Sequence, residues 1–298
     1  MPIRVTQTML NTQFLQNLSN NYNRMGKLEN ALSTGRIINR PSDDPVGLSF
    51  SMRYRSHLSE NEQYQKNLDS ANSWLGFTDT ALDQAGQIFS RVRELTVQAL
   101  QGTNPQQSMD AVAAEVDQLN EQMVVIGNSQ FNGKYVFNGQ FTDQKPYEFG
   151  KATTTFSDGF HLLFEFGVNV RIPVNSTGNE VFGMPSEHDN AFRVLDEISA
   201  SLKKGDQKEL GDVLAKLDTR MSKFLDVRSE IGARINRVQL AESRLKDIEI
   251  NVTELQSKTE DADLAEVITK LKMDENVYQA SLSAGAKLIK QSLVDFLR

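Results

Sequence analysis

Two long stretches without proline constrain this fold more than any other feature of the sequence. Only seven prolines occur in 298 residues, and none lies between Pro45 and Pro105 or after Pro185. Proline is excluded from helix interiors because it lacks an N–H donor and its ring clashes with the preceding turn. Both stretches can therefore form long helices. A helix from Val46 to about Gln101 would extend on the order of 80 Å, which compact globular domains rarely need.

Apolar residues follow these stretches at alternating steps of three and four, the spacing that places them on one face of a helix. In the first stretch the positions with this spacing are Leu68, Ala71, Leu75, Thr78, Leu82, Ala85, Phe89, Val92 and Ala99, all apolar except Thr78. The motif Gly102–Pro105 predicts a turn, and Val112, Val116, Leu119, Met123 and Ile126 predict a shorter antiparallel return helix. A second long stripe, from Leu210 to Leu255, is expected to pack on this helical hairpin.

Each end of the chain carries a further amphipathic stripe. The N-terminal arm has Phe14, Leu18, Tyr22, Met25, Leu28 and Leu32, and the C-terminal arm has Leu264, Ile268, Leu271, Tyr278, Leu282, Leu288, Ile289, Leu293 and Phe296. The two terminal helices are natural partners for each other. Because a lone helix pair buries only one seam and is marginally stable, we expect neighbouring subunits to complete the packing of these residues.

The middle of the chain changes its period. Every second residue from Phe160 to Ile172 is apolar, which predicts a strand with one buried face. Two Asn-Gly pairs within residues 131–139 predict a hairpin or turns. The predicted fold class is mainly α, a long antiparallel helical bundle or coiled coil formed by the N- and C-terminal arms, with a small inserted β-rich module.

The predicted division of the chain has five segments. They are an N-terminal coiled-coil arm at 1–42, a long helix with its return helix at 43–129, a β-rich outer module at 130–185, bundle helices at 186–256 and a C-terminal coiled-coil arm at 257–298.

Composition excludes several classes of function. The net charge of −7 and pI near 5.2 argue against a nucleic-acid partner, because phosphate binding depends on clustered Lys and Arg. The absence of cysteine removes disulfides, thiolate metal sites and thiol nucleophiles. No apolar run approaches the roughly 18 residues of a membrane span, and the first residues lack the apolar core of a signal peptide. Membrane insertion is not expected, and export would use a route without a cleaved signal peptide.

No set of residues predicts catalysis, a metal or a cofactor. The three histidines form no His-Glu-x-x-His motif, and there is no Gly-rich phosphate loop. Asp43 and Asp44, and likewise Asp261 and Asp263, are too few for Ca²⁺, which takes six to eight oxygens. We interpret these carboxylates as helix caps and N-terminal charges. The chain is predicted not to be an enzyme.

Three short motifs resemble the flagellin family. Residues 28–48 read LENALSTGRIINRPSDDPVGL, and the family has a helix ending L-S-S-G-x-R-I-N followed by D-D-A-A-G-L. Residues 231–237, IGARINR, and 260–266, EDADLAE, are similar to its C-terminal G-A-x-x-N-R and D-A-D-x-A-x-E motifs. We call the polar segments that join the terminal helices to the rest of the chain the connectors. By this resemblance, the family signature in the connectors consists of Gly35, Arg36, Asn39, Asp43, Asp44, Gly47, Asp261 and Asp263.

Within that family, residues 130–133, QFNG, agree with the true flagellins, whereas residues 134–143, KYVFNGQFTD, are more similar to the branch that joins hook to filament. The resemblance implies a structural subunit of the extracellular bacterial flagellum, exported through the flagellar type III channel. It also implies self-assembly into a ring or helical layer, with the proximal junction protein, flagellin and an export chaperone on the C-terminal helix as partners. Two alternatives are a minor flagellin and, from a different class, a secreted coiled-coil adhesin or effector.

Overall fold

A computed structural model describes residues 7–101, 105–152 and 157–296, with side chains from residue 9 to residue 286 of these ranges. Its helices are α1 Gln7–Thr34, α2 Pro45–Leu100, α3 Gln106–Gly127, α4 Gly178–Phe182, α5 Ala191–Lys204, α6 Gln207–Glu260 and α7 Leu264–Phe296. Its strands are β1 Gln130–Phe131, β2 Lys134–Tyr135, β3 Leu163–Gly167 and β4 Val170–Pro173. The predicted mainly α class with a small β insertion is confirmed.

The chain forms two compact units. The terminal unit contains the described residues up to Glu60 and from Ile248 onward, and the central unit contains Asn61–Asp247. Helices α2 and α6 contribute residues to both units. The limits of the units therefore fall inside continuous helices, and the five-segment division of the chain stays a prediction.

The core of the central unit follows a seven-residue period. Buried residues of α2 recur at steps of three and four, and buried residues of α6 recur every seventh position. The latter are Leu210, Leu217, Phe224, Ile231, Val238 and Leu245. This period of 3.5 residues is typical of left-handed coiled coils, in which one seam of each helix stays turned to its partner. The rings of Phe89 on α2 and Phe224 on α6 meet at 5.3 Å, so the expected packing of α6 on the first hairpin is confirmed.

Aromatic rings close one end of this core. Tyr147 contacts Phe182 and Phe192, with ring centroids 5.6 and 4.8 Å apart, and Phe137 contacts Phe182 at 5.5 Å. A Cβ on Gly127, the last residue of α3, would lie 2.8 Å from the Tyr147 ring. The end of α3 therefore needs glycine because the tyrosine ring lies directly against its backbone.

The β segments confirm one prediction and correct another. Strands β1 and β2 form the predicted hairpin, with Asn132 and Gly133 at φ 50° and 76°, both positive as a type I′ turn requires. Residues 160–172 do not form one strand. They form the antiparallel hairpin β3–β4, whose turn contains Asn169 at φ 61°. The alternation of apolar residues continued through the turn, and the turn-forming Gly167 and Asn169 were the signal against one strand.

One buried arginine was absent from the sequence predictions. Arg220 of α6 is almost completely buried; its Nε donates to the Asp189 carbonyl at 2.8 Å, and its guanidinium pairs with the carboxylates of Asp189 and Glu187. A Cβ on Gly183 would lie 2.5 Å from Nη2 of Arg220. The side chain thus fixes the 183–190 loop on α6, and its charge is paired as burial demands.

We expect Phe224→Ala to lower the free energy of unfolding by about 3–5 kcal/mol, because it removes a buried ring and leaves a cavity beside Phe89. Its neighbour Leu225 is 58% exposed, and Leu225→Ala should change stability by about 0.5 kcal/mol or less. Urea unfolding followed by circular dichroism measures both. Equal effects of the two substitutions would contradict the assignment of Phe224 to the core.

Candidate assembly interface

The terminal unit is built on the pairing of α1 with α7. Asn21 is buried in this seam, and its side-chain amide donates to the Asp274 carbonyl at 3.2 Å. Arg24 donates to both carboxylate oxygens of Asp274, at 2.9 and 3.2 Å, and also to the Asn21 side chain. These polar contacts fix the register of the two helices. The predicted partnership of the two terminal helices is confirmed.

Close packing accompanies the polar contacts. A Cβ on Gly285 would lie 2.7 Å from the ring of Phe14, so α7 presents bare backbone to that ring. The rings of Tyr22 and Tyr278 meet at 6.2 Å. The seam therefore extends from Phe14 to the end of α1.

The predicted apolar residues of the arms divide into two groups. Phe14, Leu18, Met25, Leu28, Leu271 and Tyr278 are buried or half-buried, whereas Tyr22, Leu32, Leu264, Ile268 and Leu282 are exposed. The side chains of Leu288, Ile289, Leu293 and Phe296 lie outside the described residues. The sequence stripe overlooked Asn21, Ala31 and Val267, all buried in this unit. Asn21 and Ala31 follow the three-four spacing of α1, but a polar or small residue gives no hydrophobic signal.

Exposed large apolar side chains are concentrated on the terminal unit. They include Tyr22, which is 65% exposed, and Leu282, which is 46% exposed. The others are Met9, Leu10, Leu15, Leu32, Ile37, Val46, Phe50, Met52, Ile248, Ile250, Leu255, Leu264, Ile268, Met273 and Val277. So many exposed large apolar side chains on one unit make it a candidate interaction site.

The connector after α1 is held by the chain between α6 and α7. Gly35, at φ 70°, ends α1, and its carbonyl accepts from the Ala262 N–H at 2.9 Å. The Ile37 N–H donates to the Glu260 carbonyl at 2.7 Å, and Arg36 pairs with Asp261 as an isolated antiparallel bridge. Asn39 donates to the Arg36 carbonyl. The structure thus brings together signature residues from both ends of the chain.

The connector after α1 and the chain between α6 and α7 thus form a crossing. Glu260 is the buried residue at its centre. Its side chain is 2% exposed and accepts from the Ser51 hydroxyl, from Gln256 at 2.7 Å and from Arg55 at 2.5 Å. Nε of Arg36 lies 3.6 Å from Oε1 of Glu260, the oxygen that also accepts from Gln256. Burial by itself would raise the pKa of Glu260, but the hydrogen bonds from Ser51, Gln256 and Arg55 outweigh it and lower the pKa. The carboxylate is therefore ionised and paired.

Three of the four aspartates of the signature cap helices or turns. Asp44 accepts from the Val46 N–H at the start of α2, and Asp263 accepts from Ala265 and Glu266 at the start of α7. Asp43 accepts from the Arg40 N–H and pairs with Lys27. A Cβ on Gly47 would lie 2.6 Å from Ile38 and would also collide with the Asp44 carboxylate.

A metal site and a membrane span each place definite requirements on the described residues. No group of three potential ligands forms a metal site there, and no described helix is long and apolar enough to cross a membrane. His57 and His161 each lie beside one glutamate, at 3.6 and 3.4 Å. What the terminal unit offers is a set of exposed large apolar side chains.

Two sequence profiles match the chain. The bacterial flagellin N-terminal helical region matches residues 5–142, and the bacterial flagellin C-terminal helical region matches residues 214–297. Together they cover well over half of the sequence, including the signature connectors and both terminal helices.

Individual relatives agree with these profiles. Flagellar hook-associated protein 3 of Salmonella typhimurium is 24% identical over 99% of this chain and 100% of its own length. The flagellar filament 30.7 kDa core protein of Treponema maltophilum is 26% identical over 92% and 91%. The crystal structure of hook-associated protein 3 from Legionella pneumophila superimposes with a TM-score of 0.64 at 16% identity, covering 70% of this chain and 98% of that chain. The last match establishes a shared fold.

We expect Glu260→Gln to weaken the crossing by about 1–3 kcal/mol, because a neutral amide loses the ion pairs and leaves donors without a carboxylate. Hydrogen exchange of the Ile37 and Ala262 amides reports the free energy of local opening. Glu29→Gln, which removes an exposed carboxylate from α1, is the charge-matched control. Equal protection in the two variants would contradict the role of Glu260.

The same amides should show a pH dependence. Because the pKa of Glu260 is lowered in the folded state, its contribution is complete above the ordinary value of 4.5 and is lost as the pH falls through the folded value. After correction for intrinsic exchange, the free energy of opening should decrease in the wild type as the pH is lowered. The variant Glu260→Gln should not show the part of this decrease that protonation of Glu260 causes.

Proposed function

The chain belongs to the bacterial flagellin family, and we propose that it is a structural subunit that joins the hook of the flagellum to the filament. The alignment with a hook-associated protein over the full length of both chains supports this assignment. The relatives are named as structural components of the flagellum, and we infer that this chain likewise has a structural role and is not an enzyme.

The observation that carries the proposal is the distribution of apolar residues around α7. With 3.6 residues per turn, Val267, Leu271 and Tyr278 fall on the stripe that faces α1. Leu264, Ile268 and Leu282 lie to one side of that stripe, and Met273 and Val277 lie on another side; these five side chains are exposed. A helix that is apolar on several sides is normally surrounded by other helices. A single α1 partner covers only one of those sides.

Burial of these side chains would contribute to the driving force for assembly. Each fully buried Leu, Ile, Met or Val contributes about 1.5–3 kcal/mol, and α7 alone has five such exposed residues among those described. Part of that gain offsets the ordering of side chains at the interface. Contacts between different faces of identical subunits generate rings or helical layers, and we propose such a layer for this chain.

The family suggests the neighbours of this layer. We propose that the proximal junction protein lies on one side, that flagellin lies on the other, and that an export chaperone covers α7 before assembly. Coverage of α7 would keep the exposed apolar residues from aggregating inside the cell. On this proposal the subunit is exported through the flagellar type III channel and functions outside the cell.

A minor flagellin remains the second candidate. The filament core protein of Treponema maltophilum is as similar in sequence as the hook-associated protein, and the same terminal helices would serve a filament. Growth of long tubes from the purified protein alone would favour the flagellin assignment over a junction. The adhesin or effector alternative does not account for both flagellin profiles.

Deletion of the gene should leave hooks without filaments and flagellin shed into the medium. Negative-stain electron microscopy of the deletion strain, together with analysis of the culture supernatant, tests this. Filaments of normal number and length in that strain would refute the junction proposal.

Complementation of the deletion strain with Leu282→Asp should fail to restore filaments, because a charge in the proposed interface cannot be desolvated without a partner. Asn276→Asp adds the same charge at an exposed polar position of α7 that lies away from Leu282 and Ile268, and it should restore them. Circular dichroism of the purified variants checks that both remain folded. Restoration by Leu282→Asp would count against this surface.

For the chaperone, the full-length variant with Met273→Asp and Val277→Asp should bind at least about tenfold more weakly, since each buried apolar side chain contributes about 1.5 kcal/mol or more. Gln279→Asp, an exposed position on a different side of α7 from Met273 and Val277, serves as the control. Isothermal titration with the cognate flagellar chaperone measures the affinities, and an unchanged affinity of the double variant would place the chaperone elsewhere.

A further inference from the structure

The tripeptide Phe-Asn-Gly occurs twice within nine residues, as Phe131-Asn132-Gly133 and Phe137-Asn138-Gly139. Asn-Gly is the dipeptide most open to intramolecular attack by the following backbone nitrogen, because glycine has no Cβ to shield it. The two copies share the same flanking residues. Any difference in their chemistry must therefore come from the fold.

The first asparagine lies at an exposed hairpin tip. Asn132 and Gly133 form the two-residue turn between β1 and β2, and both are exposed. The space in which a side chain on Gly133 would sit is open to 4 Å. Within the described part of the chain, no hydrogen bond holds the Asn132 side-chain amide.

The second asparagine is enclosed. Asn138 is 6% exposed, and its amide nitrogen donates to the carbonyls of Phe141 and Gln144 at 3.1 and 3.0 Å. Its amide oxygen accepts from the Asp158 N–H at 3.1 Å. Gly139 is buried too, and a Cβ there would lie 2.5 Å from the Asp158 carbonyl. Rotation of the Asn138 side chain toward the Gly139 nitrogen would break all three hydrogen bonds.

We propose that Asn132 is a site of spontaneous deamidation and that the fold protects Asn138. The Gly133 backbone nitrogen attacks Cγ of Asn132 and loses its proton, a new C–N bond forms, and ammonia leaves with the side-chain nitrogen. The resulting cyclic imide is hydrolysed by water at either carbonyl, which gives aspartate or isoaspartate at position 132. No oxidant, metal or enzyme is required, and proximity supplies the rate.

The modification reaches the core through the neighbouring residue. The ring of Phe131 contacts Trp74 at 5.8 Å and Phe77 at 5.5 Å, and Trp74 is the only tryptophan of the chain. Isoaspartate adds a methylene group to the main chain, which a two-residue type I′ turn cannot contain. The pairing of Phe131 with Lys134 is then lost, and Phe131 loosens from Trp74.

Peptide mapping by mass spectrometry of the purified full-length protein, aged in mildly alkaline buffer, tests the proposal. Position 132 should convert on the order of a hundredfold faster than position 138, the factor expected from three hydrogen bonds that must open. In concentrated urea the two positions should convert at similar rates. Equal rates in the native protein, or conversion of Asn132 only in urea, would overturn it.

A second measurement separates isoaspartate from aspartate. Isoaspartyl methyltransferase labels only isoaspartate, and the label should accumulate together with a change in Trp74 fluorescence. The variant Asn132→Asp keeps a residue that tolerates positive φ and should keep the wild-type spectrum. Labelling without any change in Trp74 emission would refute the link to the core. The outcome is independent of the flagellar assignment, since no assembly is involved.

Discussion

Burial of one carboxylate fixes how the two ends of this chain meet. Glu260 accepts hydrogen bonds from Ser51 and Arg55, more than two hundred residues earlier in the sequence, and its backbone carbonyl accepts from Ile37. A buried charge is tolerated only when its partners are in place. The end of α1, the start of α2 and the gap between α6 and α7 are consequently held in one arrangement.

That crossing gives the terminal helices their directions. Gly35 ends α1 with a positive φ, Asp44 starts α2 and Asp263 starts α7, so three helix ends lie in sequence next to the residues that surround Glu260. The signature motifs are thus explained as helix ends and a crossing rather than as ligands or catalytic groups. A motif of Gly and Asp residues serves backbone geometry here, because glycine permits positive φ and aspartate caps orphan N–H groups.

The two units differ in how they treat apolar residues. The central unit buries its seven-residue stripes inside one chain, and Phe89 and Phe224 form part of a closed core. The terminal unit leaves large apolar side chains such as Leu282 and Met273 exposed. A subunit that assembles has to carry this surface before assembly, and until then its terminal helices are held together by the packed seam and by polar contacts such as that of Arg24 with Asp274.

The sequence by itself determined the long helices, their ends and the family, because spacing of apolar residues, proline, glycine and capping aspartates act locally. It also predicted the Asn132-Gly133 turn, whose dipeptide requires two positive φ angles. Only the tertiary structure decided that 160–172 folds back at Asn169, that Arg220 is buried and that Asn21 lies in the seam while Tyr22 is exposed. Each of these depends on partners distant in sequence, such as Asp189 for Arg220 and Asp274 for Asn21, which no local pattern records.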